Sequence, residues 1–177
     1  MNNKIAFSLF TAVLAAAGAA RADYKVDMNS VDANGVGASI GSIRASAAPG
    51  RGVVFTPQLK GLPPGKHGFH VHEVGNCGAT EKDGKMSPAE MAKGHYDPAK
   101  TGKHLGPEGE GHKGDLPALE VAADGTATKA VTAEHLALKE LVGRSLMIHE
   151  GGDNFADQPK PLGGGGTRIA CGVFPLQ

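Results

Sequence analysis

No run of basic residues occurs in the chain. Its 18 lysines and arginines are matched by 18 acids, and where lysines gather, in Glu81-Lys82-Asp83-Gly84-Lys85, they alternate with acids. Little is left to hold phosphates non-specifically, so nucleic acid is not an expected partner. Tryptophan is absent, no internal repeat is visible, and no strongly amphipathic helix can be traced. Only one apolar segment is long, Ile5 to Ala20. It is alanine-rich and shorter than the roughly 20 residues of a membrane span. It follows a lone Lys4 and ends at Ala20-Arg21-Ala22, the small-x-small pattern that precedes a signal-peptidase cut. Residues 1–22 are therefore expected to be a cleaved secretory signal, leaving no membrane span, and residues 23–177 to be one domain beginning at Asp23. Losing Lys4 and Arg21 but no acid leaves 16 bases against 18 acids, a formal charge of −2. Cysteine is equally scarce: Cys77 and Cys171 are the only two. An even count in an exported chain reads as a disulfide, and closing a loop of about a hundred residues contributes roughly 4–5 kcal/mol in the chain-entropy model.

What the sequence does have is glycine, proline and short β-type runs. Alternating or β-branched stretches occur at Tyr24–Met28, Val36–Ser46, Gly52–Leu59, Gly68–Glu73, Leu119–Ala122, Thr126–Thr132, Ser145–His149 and Arg168–Phe174, an all-β pattern. Asp124-Gly125 and Leu62-Pro63-Pro64-Gly65 supply turn signals between runs, and many short strands so punctuated favour a sandwich or barrel. Ser87-Pro88-Ala89-Glu90 has the composition of a capping box with a first-turn proline, predicting a helix of one or two turns. Two stretches do not read as strands: Gly75 to Gly114, and Glu150 to Thr167. Loops of that length in a compact domain need a reason, and either function or disorder is the usual one.

Five of the eight histidines lie in the first of these loops or in the strand that leads into it. In Gly68-Phe69-His70-Val71-His72, residues two apart share a strand face, so His70 and His72 point one way and Phe69 and Val71 point the other, into the core. Such a pair can grip one metal ion. His95, His104, His112 and Asp115 follow in the loop, and His149 closes the run Leu146-Met147-Ile148-His149. Seven ligand candidates exceed one ion's needs, and they sort by type. His95, His104, His112 and Asp115 form a closed set suited to zinc, whereas His70, His72, His95 and His149 form an all-imidazole set suited to copper. His95 must then serve both ions by losing both ring protons, which two flanking divalent cations make possible near neutral pH.

With GFHVHEVGNC, GHYDP, HLGPEGEGHKGDLPAL, GRSLMIHEGGDN and GGGGTRIACGV in this order, the chain resembles the copper,zinc superoxide dismutases, in detail their bacterial periplasmic branch, over nearly its whole mature length. The resemblance implies an eight-stranded antiparallel Greek-key β-barrel of immunoglobulin-like sandwich type with two long functional loops. It implies one copper, cycling between Cu(II) and Cu(I), and one Zn(II) per subunit. His70, His72 and His149 match the copper ligands, His95 the bridge, and His104, His112 and Asp115 the zinc ligands. Asp153 matches an aspartate that hydrogen-bonds one histidine of each ion, here His70 and His104. Arg168 matches the arginine beside copper, and Cys77–Cys171 the bond tying the long loop to the last strand. The implied reaction is dismutation: one superoxide leaves as dioxygen, and a second takes two protons and leaves as hydrogen peroxide. His95 releases copper and carries a proton between the half-reactions, and Arg168 orients the anion.

Lys82 and Lys85, from their place in the disulfide loop, are expected to steer superoxide. His67 is expected to bond a loop carbonyl and His135 to be solvated. Gly163-Gly164-Gly165-Gly166 lacks the Lys-Ser/Thr of a phosphate loop and reads as a flexible approach to Arg168, and Tyr96-Asp97-Pro98 reads as a turn without chemistry. A copper-binding or copper-delivering protein of the same fold is the alternative function, although such a relative would be expected to lose a copper ligand or the arginine. A zinc hydrolase lacks its open position and base here, and a copper-only variant would not keep a complete zinc loop. Export points to the periplasm. The branch includes monomers and homodimers, and the sequence leaves both open.

Overall fold

Alternation along the first strand sets one side of the barrel. In β1 (Asp23–Asp32), Tyr24, Val26 and Met28 are buried while Asp23, Lys25 and Asp27 face solvent, as a strand with one wet face requires. The computed structural model describes residues 23–176; the expected signal segment and its cleavage point lie outside the described residues. Among the described residues no helix is long and apolar enough to cross a membrane.

The remaining strands are β2 (Gly35–Ala47), β3 (Val53–Leu59), β4 (Gly65–His67), β5 (Phe69–His72), β6 (Thr80–Lys82), β7 (Lys85–Ser87), β8 (Leu119–Val121), β9 (Val131–Ala133), β10 (Ser145–His149) and β11 (Arg168–Val173). The main sheet runs β5-β10-β11-β1-β2-β3-β9, every pair antiparallel, and β4 pairs with β8. Only Gly68 separates β4 from β5. Counted as one interrupted strand, with the β6–β7 hairpin set aside as part of a loop, they leave the eight strands of a Greek-key barrel. Partners distant in sequence, β5 beside β10 and β11 beside β1, are the mark of that topology. The core joins its walls: Phe55 and Phe69 meet edge to face at 5.7 Å, and Tyr24 meets Phe174 at 6.2 Å. Burying each such side chain stabilises the fold by about 1.5–3 kcal/mol.

Three local expectations change. The predicted helix at Ser87 is instead the end of strand β7 followed by a single 3₁₀ turn, Glu90–Ala92. Ala89 precedes that turn at φ 50° and no side chain caps it. Glu90, instead of folding back to a capping serine, reaches sideways to Lys82 and Arg168. The long first loop contains the β6–β7 hairpin, whose turn residues Asp83 and Gly84 both have positive φ. That pair is a hairpin signal, hidden because the flanking residues are charged and do not alternate. Third, the run Thr126–Thr132 follows a turn at Asp124-Gly125 as expected, but only Ala127 bridges to Leu59 before β9 begins at Val131.

Cys77 and Cys171 form a disulfide spanning 94 residues of sequence. It sits in a small apolar cluster with Val31, Ala89, Ala92 and Met147, clamping the first loop to β11.

Candidate metal centre

β5 and β10 are buried on both faces. Phe69, Val71, Leu146 and Ile148 enter the main core, so His70, His72 and His149 must point outward, where the two long loops cover them. β5 would otherwise be a bare edge, and the first loop pairs with it. The Val71 N–H donates to the Gly114 carbonyl at 2.9 Å, and the Tyr96 N–H donates to the Val71 carbonyl at 2.8 Å. The same pairing sets His95 opposite His72 and Asp115 opposite His70. An edge-strand register thus delivers two distant residues to the histidine pair.

The rings crowd around His95. Its centroid lies 3.9 Å from His70, 5.0 Å from His72, 5.3 Å from both His104 and His112, and 6.0 Å from His149. Ligand-type atoms of His70, His72, His95 and His149 all lie within 4.8 Å of one another, as do those of His70, His95, His104 and Asp115. The sequence reading placed His112 rather than His70 in the second set. His112 stands at its rim, with Nδ1 3.6 Å from Asp115 Oδ1.

The hydrogen bonds separate bound from free ring atoms. His70 Nε2 lies 2.7 Å from Asp153 Oδ2, His72 Nδ1 2.9 Å from the Lys93 carbonyl, His149 Nδ1 3.1 Å from the Gly166 carbonyl, and His104 Nε2 2.8 Å from Asp153 Oδ1. Those acceptors fix each ring's tautomer and direction. The opposite nitrogens, His70 Nδ1, His72 Nε2, His149 Nε2 and His104 Nδ1, are buried without a hydrogen bond, as is His112 Nδ1. His104 Nδ1 sits 2.9 Å from Asp115 Oδ2 but without hydrogen-bond alignment. Five orphaned nitrogens, each costing about 1–3 kcal/mol if left unpaired, belong to rings that surround His95. They fit divalent cations, which need neutral imidazoles with a free lone pair.

Electrostatics point the same way. Burial, reinforced by neighbouring histidines, holds His70 and His72 well below the ordinary imidazole value. Burial likewise lowers His95, against the pull of Asp115. His149 falls to about 4, chiefly through burial. His104 differs: burial would lower it, but the adjacent carboxylates of Asp115 and Asp153 raise it to about 9. Asp115 moves down, because the adjacent imidazoles of His104 and His95 overcome the burial that would raise it.

Arg168 begins β11 directly across from His149. Its Nη1 donates to the Ala89 carbonyl at 2.6 Å and its Nη2 to the Lys93 carbonyl at 2.7 Å. Those two carbonyls bracket the Glu90–Ala92 turn, and the second also holds His72. Arg168, His95, His149, Lys82, Lys85 and Glu90 line one cleft of about 510 Å³. Lys82 is ion-paired to Glu90 at 3.0 Å.

The second loop packs tightly where a flexible approach was expected. Gly163 lies at φ +69° with its Cα so close to Asp153 that an added Cβ would sit 1.9 Å from Oδ1, and an added Cβ at Gly165 would sit 3.2 Å from the His149 ring. Only glycine lets this segment cover the site. His67 lies between two carbonyls, with Nδ1 2.8 Å from His149 O and Nε2 2.8 Å from Pro63 O. His135, expected in solvent, is half-buried with Nε2 2.9 Å from the Lys113 carbonyl. Tyr96, next to the central histidine, is more than a turn residue: its ring lies under Arg144 at 3.6 Å and its hydroxyl donates to Glu140 at 3.3 Å. Sequence reasoning missed the carbonyls of Ala89, Lys93 and Gly166, which carry no side-chain signal. It also missed Glu90, which was read as a helix cap.

Fold and site together define a class: a Greek-key barrel carrying a buried two-cation centre under a cleft with an arginine at its base. Comparison with known proteins is specific. The family model for copper/zinc superoxide dismutase (SODC) matches residues 39–174. The superoxide dismutase [Cu-Zn] of Escherichia coli K12 is 57% identical over 170 residues, covering 95% of this chain and 98% of the relative. The solved Cu/Zn superoxide dismutase from Brucella abortus superposes with a TM-score of 0.84 at 52% identity, over 86% of this chain and 99% of that one. The monomeric copper, zinc superoxide dismutase from Salmonella enterica gives 0.78 at 59% identity, over 86% and 99%. The chain belongs to the copper/zinc superoxide dismutase family.

Proposed function

We propose that His70, His72, His95 and His149 hold copper and that His95, His104, His112 and Asp115 hold zinc, in an enzyme that dismutates superoxide to dioxygen and hydrogen peroxide. The observation that carries this assignment is the division of ring atoms: His70 Nδ1, His72 Nε2 and His149 Nε2 in the first set, and His104 Nδ1 and His112 Nδ1 in the second, are buried without a hydrogen bond, and among the described histidines only His135 Nδ1, outside both sets, shares that condition. His95 Nδ1 faces Asp115 Oδ1 at 2.9 Å, which leaves its Nε2 for the other set. Asp153 occupies His70 Nε2 and leaves Nδ1 as the ring atom free for a cation; His70 is placed with copper because it shares a strand face with His72.

Copper would supply the one-electron chemistry, accepting an electron from one superoxide and giving it to the next, while zinc has no accessible second oxidation state. The protein does the rest. Arg168, pinned by two carbonyls, presents its remaining donors to the cleft and binds a small anion beside His149. His95 Nε2 is the ring atom placed to hold a proton for the peroxide product. Asp153 keeps His70 and His104 in register by accepting from both. Lys82 and Lys85 line the cleft mouth and steer the substrate.

The bacterial relatives and the disulfide, which persists in oxidising compartments, support export to the periplasm after removal of residues 1–22. Sedimentation of the mature chain decides between monomer and homodimer; the Salmonella enterica relative is described as monomeric.

The test is superoxide decay after a radiolysis pulse, comparing the chain from Asp23 loaded with copper and zinc against the same chain with zinc alone. A copper-dependent second-order rate is expected. Full copper occupancy without it would transfer the reading to copper handling.

A further inference from the structure

We propose that Glu90 sets the anion selectivity of the cleft through its fixed negative charge, which disfavours dianions more than monoanions. The inference rests on the reading above, in which Arg168 receives the substrate.

Glu90 opens the 3₁₀ turn Glu90–Ala92. Its Oε1 lies 3.0 Å from Lys82 Nζ and its Oε2 lies 3.4 Å from Arg168 Nη1. One carboxylate thus links the cation at the mouth of the cleft to the cation at its base. Arg168 does not need it for placement, because shorter bonds to the Ala89 and Lys93 carbonyls already fix both of its terminal nitrogens. Those carbonyls are fixed in turn by the turn itself, which Met91 ties to Gly78 at 3.1 Å, one residue from the disulfide. Stripped of a positioning duty toward Arg168, the carboxylate retains an electrostatic one.

Its surroundings make that charge effective. The Glu90 side chain is 20% exposed, against 56% for Lys82, so solvent and salt screen it less than a surface acid. It lines the same cleft as Arg168, His95 and His149. An anion reaching Arg168 must therefore share the guanidinium with a fixed negative charge. Coulomb repulsion from that charge scales with the charge of the visitor, so a dianion such as hydrogen phosphate is penalised twice as heavily in free energy as a monoanion such as superoxide. Without Glu90, Lys82 and Arg168 form an unopposed cation pair, a ready phosphate site.

Glu90→Gln keeps the shape and removes the charge. In the copper,zinc-loaded protein at fixed ionic strength, azide binding is read from its charge-transfer absorption with Cu(II). Hydrogen phosphate binding is read from ³¹P relaxation by the same ion. Because the free-energy penalty doubles, the affinity ratios multiply: a gain of about threefold for azide goes with about ninefold for phosphate. Glu90→Ala should give the same ordering if the charge, not the amide, matters. Equal changes for the two anions, or none, while Arg168→Gln weakens both, would overturn the selectivity role and leave the site reading intact. If Arg168→Gln leaves both affinities unchanged, the site reading itself fails and takes this inference with it.

Discussion

Two pairs of neighbouring strands in one barrel behave differently. β1 and the stretch of β2 that pairs with its first half follow the simple rule of a half-buried sheet, with Tyr24, Val26, Met28, Ile43 and Ala45 inward and Asp23, Lys25, Asp27 and Arg44 outward. β5 and β10 follow the same rule on the inward face, yet their outward residues are also buried, because two long loops cover them. The covered face carries histidines where an ordinary core would carry leucines. The lesson is that a barrel wall can have a second interior, one whose polar atoms remain unsatisfied until cations arrive.

That contrast can be broken most severely by removing the metals. Chelation of both ions is expected to abolish dismutation and to lower the midpoint of thermal unfolding by on the order of 10 °C, since ligands that bind only the folded state stabilise it by mass action. β1 and β2 should keep their amide-exchange protection while the loops from 75–114 and 150–167 lose theirs. If protection falls uniformly, the second interior is not a separate layer.

Phe69→Ala attacks the inward face of the same strand that bears His70. It should cost about 3–5 kcal/mol in urea unfolding through the cavity it leaves, while azide affinity in the loaded protein stays within about twofold. A loss of metal affinity instead would show the two faces to be coupled through the backbone. Asp153→Asn comes next. It keeps the volume but replaces a carboxylate that accepts from two rings, so zinc affinity by competition with a chromophoric chelator should fall about 10–100-fold.

The pH response divides along the same line. His149, with a folded value of about 4, binds protons more readily unfolded. Its contribution to stability is therefore present above the ordinary imidazole value near 6.5 and is lost as pH falls toward 4; His70 and His72 add in the same direction. His104, raised to about 9, contributes the opposite way: fully below about 6.5, and lost as pH rises through 9. Urea midpoints of the metal-free protein should thus decline on both sides of a maximum between those limits, and the acid limb should flatten in His149→Gln. The smallest expected effect is at the rim. Lys82→Glu with Lys85→Glu should slow the pulse-radiolysis rate severalfold at low salt and reverse its salt dependence; an unchanged rate removes both from steering.

Much of this was legible beforehand, for reasons that differ by element. The alternation in Tyr24–Met28 and the histidine pair at 70 and 72 could be read because strand geometry ties sequence spacing to facing direction. Asp83-Gly84 escaped notice because its flanks are charged, and Glu90 was mistaken for a cap because composition alone cannot say which way a carboxylate turns. The site's membership was visible in residue types, whereas its hydrogen-bond partners were not: backbone carbonyls at Ala89, Lys93 and Gly166 leave no trace in a one-letter string.

By itself, then, the sequence determined the all-β character, the paired cysteines and the roster of metal-binding side chains, since each depends on residue type and short-range period. Only the tertiary structure decided that an edge-strand register brings His95 and Asp115 against β5, which nitrogen of each ring stays free, and that Glu90 stands between Lys82 and Arg168. Those outcomes depend on contacts between segments far apart in the chain, where packing and backbone pairing, rather than local preference, choose the geometry.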